Sequence, residues 1–264
     1  MEKESVLAGV SCVMIGMLFS SAFAIAPVGP PTAGLKAGQW SFGFDYAHGE
    51  IDADIDWSSD FVSDIPDSKI KDAKSDAYLA KIGFGSGDWD FYLFLGAADI
   101  RGKIEDEGGV VDGSLNFDGG HNLSGGFGTK WTIQKEEKLS WGLVYQMSWS
   151  QGDDDFTFDL SDFGFGTAET IDVDNDSFDI FLALGPTYEF QNWRIYGGPA
   201  LFYYDSDIEV EFMDVTILNG DVEEAMFGGY VGTEVDLDQN TSLYAEYMLA
   251  DDAWMLGTGI VWKF

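Results

Sequence analysis

The sequence predicts an all-β protein, a transmembrane antiparallel up-and-down β-barrel of about ten strands with an extended part beyond the membrane. Three observations predict it. From Gln39 onward the dominant pattern has period two, in segments of about ten residues or more, and no long 3.6-residue period appears. Short turns at Ser86-Gly87, Gln134 to Lys138, Gln191-Asn192 and Asp238 to Asn240 alternate with longer loops, apart from the last connection at Asp251-Asp252. One face of each segment is an apolar and aromatic row about long enough to meet lipid, while the other carries glycine, hydroxyls and charge.

The chain opens with an export-signal pattern over residues 1–24. A charged start (Glu2, Lys3, Glu4) leads into an apolar run from Val6 to Phe19 that ends in Ala22-Phe23-Ala24, the small-x-small pattern of a cleavage site. Cys12, the only cysteine, lies inside that run, so the mature chain is expected to hold no disulfide. Residues 25–38, with the Pro/Gly-rich stretch APVGPPTAG from Ala26 to Gly34, read as a periplasmic leader into the first strand, and residues 39–264 as the barrel.

Ten strands are predicted: Gln39 to Trp57, Asp72 to Gly85, Asp88 to Ile104, Leu115 to Ile133, Leu139 to Phe158, Thr170 to Phe190, Trp193 to Phe212, Asp221 to Leu237, Thr241 to Ala250 and Ala253 to Phe264. The fifth sets Leu139, Trp141, Leu143, Tyr145 and Met147 against Ser140, Gly142, Val144, Gln146 and Ser148. A water-soluble barrel of the lipocalin type also alternates, but its apolar face points inward and its outer face is polar.

Composition narrows the function classes. Removing Glu2, Lys3 and Glu4, one net negative charge, takes the formal charge from −34 to −33, which disfavours nucleic acid and favours cations as counter-species. A content of 16% aromatic residues argues against disorder despite that charge.

The C-terminal stretch Gly257-Thr258-Gly259-Ile260-Val261-Trp262-Lys263-Phe264 resembles the assembly signal of bacterial outer-membrane proteins, with Gly259, then Trp262 and the terminal Phe264. It departs from that pattern at Gly257. The resemblance implies an outer-membrane β-barrel exported through a cleaved signal peptide, recognised by the barrel assembly machinery and surrounded by outer-membrane lipid and lipopolysaccharide. It implies a class and a location, with a monomer as the default state, and no activity.

Followed past the membrane, the outward face changes chemistry. In the first strand Trp40, Phe42, Phe44 and Tyr46 give way to His48, Glu50, Asp52, Asp54 and Asp56 on the same face, while Ile51, Ile55 and Trp57 turn inward. The seventh strand repeats this with Asp205, Asp207, Glu209 and Glu211. These strands are expected to leave the bilayer as a water-exposed cylinder with an apolar filling. A two-residue turn at Gln191-Asn192 would set Asp176 opposite Asp207, Asp174 opposite Glu209 and Asp172 opposite Glu211. Like charges directly opposite destabilise a sheet by roughly 0.2–1 kcal/mol per pair. Bound Ca²⁺ or Mg²⁺ would offset that, because hard cations take carboxylate oxygens; diffuse, screened charge is the other reading. A turn at Ser86-Gly87 would place Lys74 opposite Asp99 and Asp72 opposite Arg101, a region where charges are paired.

At membrane depth the inward face carries Asp45, Lys81, Asp90, Lys130, Asp179, Glu189, Arg194, Glu234, Glu246 and Lys263, among Tyr92, Tyr196, Phe202, Tyr204, Tyr230 and Tyr244. Charges in a dry interior need partners, so layers of ion pairs and tyrosine hydrogen bonds are expected. Eight-stranded barrels are about filled by side chains, and open channels belong to sixteen strands or more. Ten strands should therefore be narrow or closed, with a constricted cation-preferring path as the alternative. Catalysis is disfavoured. His48 and His121 are the two histidines, and neither sits in the Asp-His motif of omptin-type proteases or beside the serine of a lipid A deacylase. The role predicted is structural or surface-interacting, without a cofactor beyond Ca or Mg ions.

Overall fold

A computed structural model describes residues 26–58, 68–106, 114–159, 168–212 and 215–264. The export signal expected at 1–24, with Cys12, lies outside the described residues. Ten antiparallel strands run in chain order: β1 Trp40–Ser58, β2 Ser68–Gly85, β3 Trp89–Asp106, β4 Ser114–Lys135, β5 Leu139–Asp159, β6 Ala168–Glu189, β7 Trp193–Phe212, β8 Val215–Asp236, β9 Thr241–Ala250 and β10 Ala253–Lys263. Each pairs with its sequence neighbours, and β1 pairs with β10 to close the barrel. The fold is the closed up-and-down barrel that the period-two pattern predicts.

The outside of the lower barrel is apolar. Phe44, Tyr78, Phe91, Leu93, Leu95, Leu201, Phe227 and Leu256 stand exposed on it, Phe227 with 62% of its surface open. Water would penalise such a belt at about 25 cal/mol per Å² of apolar surface, and acyl chains remove the penalty. Aromatic rings gather near its short-turn rim, where Trp89 stacks on Trp131 at 5.1 Å and Phe190 on Trp193 at 3.9 Å. Such rings suit a headgroup boundary.

Strand length divides the molecule into two storeys. β9 and β10 have 10 and 11 residues, the length that crosses a hydrocarbon core. The other eight have 18 to 22 residues and continue beyond it. Where the β9–β10 hairpin ends, Asp52 N–H donates to the Asp252 carbonyl at 2.9 Å. Beyond that point β1 pairs with β8 instead, through Asp56 opposite Asp221, Trp57 opposite Gly220 and Ser58 opposite Asn219. A ten-stranded lower barrel thus becomes an eight-stranded upper cylinder. Register slips at Ile51/Ala53, Lys71/Lys74 and Asp99/Arg101 cluster at this level, and such bulges bend a strand and increase its twist, which lets β1 cross to its new neighbour.

Two registers test the sequence reading. The turn at Gln191-Asn192 is a two-residue turn, closed by Phe190 N–H to the Trp193 carbonyl at 2.8 Å. It gives the expected pairs: Asp172 with Glu211, Asp174 with Glu209 and Asp176 with Asp207. The turn between β2 and β3 is displaced by one residue from the expected one. Ser86 N–H donates to the Trp89 carbonyl at 2.7 Å, so Gly87 and Asp88 form the turn, with Gly87 at φ +87°, a conformation that favours glycine at the first central position. Shifting the turn by one residue shifts partners by two. Lys74 therefore faces Arg101 and Asp76 faces Asp99, like with like, and the expected opposite-charge pairing there is corrected. The opposite charge for Lys74 lies on its other side, at Glu50 of β1.

A further correction concerns residues 25–38. The leader does not stay beneath the barrel: residues 26–35 run inside it, with Ala26, Val28, Thr32 and Leu35 buried. The polypeptide returns to the wall at the rim, where Gly38 N–H donates to the Gly85 carbonyl at 2.8 Å.

Candidate functional site

Two constellations carry unusual chemistry, one in the lumen and one on the outer wall of the upper cylinder.

In the lumen the N-terminal segment acts as a plug because the wall supplies partners for backbone groups that would otherwise be buried unsatisfied. Near the rim, Asp90 accepts N–H groups from Gly34 at 2.6 Å and Leu35 at 3.2 Å. Next along the segment, Ala33 N–H donates to Thr132 Oγ1 at 3.0 Å, and Thr32 Oγ1 to Thr187 Oγ1 at 3.1 Å. Glu246 receives Val28 and Gly29 N–H on its two oxygens, each at 2.7 Å, and Tyr196 hydroxyl at 3.1 Å. Lys81 Nζ donates to the Pro27 carbonyl at 2.7 Å, and Gln146 Nε2 to the Ala26 carbonyl at 2.8 Å. Inward glycines make the room: a Cβ on Gly142 would collide with the Pro31 carbonyl, and one on Gly257 would come within 2.6 Å of the Pro27 ring.

Several lumen charges are paired by the wall itself. Lys81 bridges to Asp45 at 2.5 Å, and Tyr244 hydroxyl donates to the same carboxylate at 2.5 Å. Arg194 bonds Glu234 at 2.7 Å, with Lys263 3.6 Å from the same oxygen. Lys81 and Lys130 lie over the Tyr92 ring at 5.0 and 5.8 Å, favourable geometry for a cation above a π face. Glu189, expected in the interior, is instead exposed at the rim opposite Arg194. Asp179 differs from all of these: it is buried, receives Ser148 Oγ on Oδ2 at 3.3 Å, and has no partner for Oδ1. Between plug and wall a cavity of about 80 Å³ remains, room for a few waters.

The outer wall is the opposite case. One row across the upper cylinder reads Asp176, Asp207, Asp221 and Asp56 on β6, β7, β8 and β1, four carboxylates in successive pairing positions. Asp176, Asp207, Glu209, Asp221 and Asp56 are exposed, whereas the side chains of Asp172, Asp174 and Glu211 lie outside the described residues. Asp205, Asp207 and Asp221 bring carboxylate oxygens within 4.8 Å of one another. Of the six residues expected to ligate a cation, only Asp207 belongs to this trio. Asp205 and Asp221 were not among the six, because their meeting depends on the β7–β8 register. Crowding raises the Asp221 carboxyl above its ordinary value, first by desolvation and then through the negative charges of Asp207, Asp205, Glu223 and Asp56.

His48 acquires an acidic partner that spacing along the chain does not show. It pairs with Asp76 across β1 and β2, with Nδ1 3.0 Å from Oδ1, and Tyr46 hydroxyl donates to that same oxygen at 2.6 Å. The Trp254 ring packs edge-on against the imidazole at 5.5 Å. The side chain of His121 lies outside the described residues. At the C-terminus, Phe264 exchanges backbone hydrogen bonds with Trp40 at 2.9 and 3.0 Å, Trp262 lies 6.3 Å from Phe42, and a Cβ on Gly259 would collide with Asp45 and Tyr244.

No protein-family model matches the sequence, and no curated protein matches it. Among solved structures, the chain is similar to the outer membrane protein OprG from Pseudomonas aeruginosa, at 14% identity over 88% of this chain and 98% of that one, with a TM-score of 0.49. It is similar to the outer membrane protease OmpT from Escherichia coli at 9% identity, over 85% and 97%, with a TM-score of 0.49. The translocator domain of the autotransporter NalP from Neisseria meningitidis matches at 9% identity over 99% and 98%, with a TM-score of 0.44. The conclusion rests on the chain's own geometry: an even number of antiparallel strands, short turns at the end where β1 begins and β10 finishes, an apolar outer belt and a polar lumen form the architecture of an outer-membrane β-barrel.

Proposed function

We propose that this protein is a monomeric, non-catalytic barrel of the bacterial outer membrane, closed to solutes, whose acidic upper wall gathers divalent cations. Through those cations it engages anionic lipopolysaccharide or an external ligand. The observation that carries the reading is the contrast in pairing. Asp45 and Glu234 in the lumen pair with Lys81 and Arg194, whereas Asp205, Asp207 and Asp221 converge on one another, with no cationic side chain bridging them among the described residues. Oxygen ligands from three carboxylates suit Ca²⁺ or Mg²⁺, which would remove the mutual repulsion. Gly259, Trp262 and Phe264 serve the assembly machinery in this reading, and the belt meets lipid. Thermal unfolding in detergent tests it: Ca²⁺ should raise the midpoint and EDTA reverse the rise, and the shift should vanish in the Asp207→Asn, Asp221→Asn double variant. An equal shift in that variant would remove the site.

The second reading is a narrow cation-preferring channel, favoured by the acidic residues and the residual lumen cavity. A stable conductance step from the unmodified protein in planar bilayers would establish it and refute the closed barrel.

A further inference from the structure

The cavity between plug and wall carries a charge opposite to that of the molecule around it. In a chain with 13 basic and 47 acidic residues, its lining holds four cationic side chains, Lys81, Lys130, Arg194 and Lys263, against two carboxylates, Asp90 and Glu234. Both carboxylates are engaged, Asp90 by the Gly34 and Leu35 N–H groups and Glu234 by Arg194. Lys81 is engaged too, by Asp45 and the Pro27 carbonyl. Two lysines are left over. The carboxylate within ion-pair reach of Lys263, among the described residues, is Glu234, 3.6 Å away through the oxygen that Arg194 already binds. Lys130 has no hydrogen-bond or ion-pair partner among the described residues: its cross-strand neighbour Asp90 is turned to the plug. The Lys130 Nζ stands 5.8 Å from the centre of the Tyr92 ring and 3.2 Å from where a Cβ on Gly29 would lie, so it is directed at the plug. An ammonium carries three N–H donors, and leaving them unpartnered in a low-dielectric lumen is costly. The cavity of about 80 Å³ is roughly five times the 10–15 Å³ that one water needs, enough for a small polyatomic ion.

We propose that this cavity is a binding site for a small inorganic oxyanion of the phosphate class, held by Lys130 and Lys263 with Arg194 at its edge. A tetrahedral oxyanion offers acceptors in several directions, which suits donors arriving from β4, β7 and β10, and N–H bonds to it are charge-assisted. The plug residues Val28, Gly29 and Gly34 line the same space. An anion seated there joins three wall strands to the plug, so its binding stabilises the plugged barrel by mass action.

Inorganic phosphate itself is the probe, titrated into the protein in non-ionic detergent at fixed pH and ionic strength, with EDTA present to keep the acidic outer wall free of divalent cations. Calorimetry should show saturable binding of one phosphate per chain, and the thermal midpoint should rise with the logarithm of its concentration. Lys130→Gln should weaken binding about tenfold or more, the loss of one hydrogen bond to a charged group, while Lys130→Arg should retain it. Lys138→Gln makes the same charge change in an exposed turn and should bind as the parent does. Phosphate-free unfolding separates a ligand-binding lysine from a structural one: there Lys130→Gln should be no less stable than the parent, and the difference should open only as phosphate is added. Absence of saturable binding, equal weakening in the Lys130→Gln and Lys138→Gln variants, or a loss of stability in Lys130→Gln that phosphate does not change would overturn the proposal.

Discussion

The lower lumen and the upper outer wall both hold carboxylates, under opposite rules. Inside, Asp45 meets Lys81, Glu234 meets Arg194, and Glu246 and Asp90 bind backbone N–H groups. Outside, Asp176, Asp207, Asp221 and Asp56 stand side by side across four strands. The solvent makes the difference. In a low-dielectric lumen an unpaired charge costs several kcal/mol, while water and salt screen the outer repulsion to a fraction of that within about 10 Å. Pairing follows desolvation rather than charge density.

Removing residues 26–35 should produce the largest break in this contrast. Asp90, Lys81 and Glu246 would then lose partners together, the unfolding midpoint in detergent should fall steeply, and bilayer recordings should gain conductance steps that the parent lacks. Next in size is a single cut inside: Asp45→Asn leaves Lys81 without its anion and should cost about 3–5 kcal/mol in urea unfolding, with much of it recovered when Lys81→Met is added. The same chemical change outside should have the opposite sign. Asp207→Asn, assayed with EDTA present, should stabilise by about 0.2–1 kcal/mol for each like-charge contact relieved; a loss like that of Asp45→Asn would show that the outer wall is desolvated after all.

The smallest expected effect is on pH dependence. Asp221 is raised in the folded state, so it binds a proton more tightly there than in the unfolded chain. Its ionisation therefore penalises the fold at neutral pH, and lowering pH through the raised value toward the ordinary carboxylate value near 3.9 should recover stability. Asp238, in the turn between β8 and β9, runs the other way: the Asn240 N–H at 2.7 Å leads the bonds that lower it. Its contribution is present at neutral pH and disappears as pH falls through the lowered value. Comparing pH profiles of Asp221→Asn and Asp238→Asn with the parent should separate the two slopes.

The parts of the fold legible in the sequence were those governed by local periodicity. Alternation on β5 fixed which residues face lipid, and the two-residue turn at Gln191-Asn192 fixed the β6–β7 register and its acidic pairs. The β2–β3 turn was misplaced because glycine suits either central position, and only the closing bond from Ser86 to Trp89 settles which is used. The β1–β8 seam was hidden because it joins residues more than 150 positions apart and depends on where a short hairpin stops. The plug was hidden for a similar reason. APVGPPTAG has no period, and its partners, such as Glu246, lie up to 218 residues away. One trace of it was visible: inward glycines such as Gly142 and Gly257 leave space that no wall side chain fills.

The change from ten strands to eight gives the molecule a taper. The extra hairpin widens only the membrane storey, and an eight-stranded cylinder has little more bore than its own side chains occupy. A peptide seated in the wide end is then a cork in a bottle that narrows above it, so force from the short-turn rim wedges it tighter, and release has to proceed back through that rim.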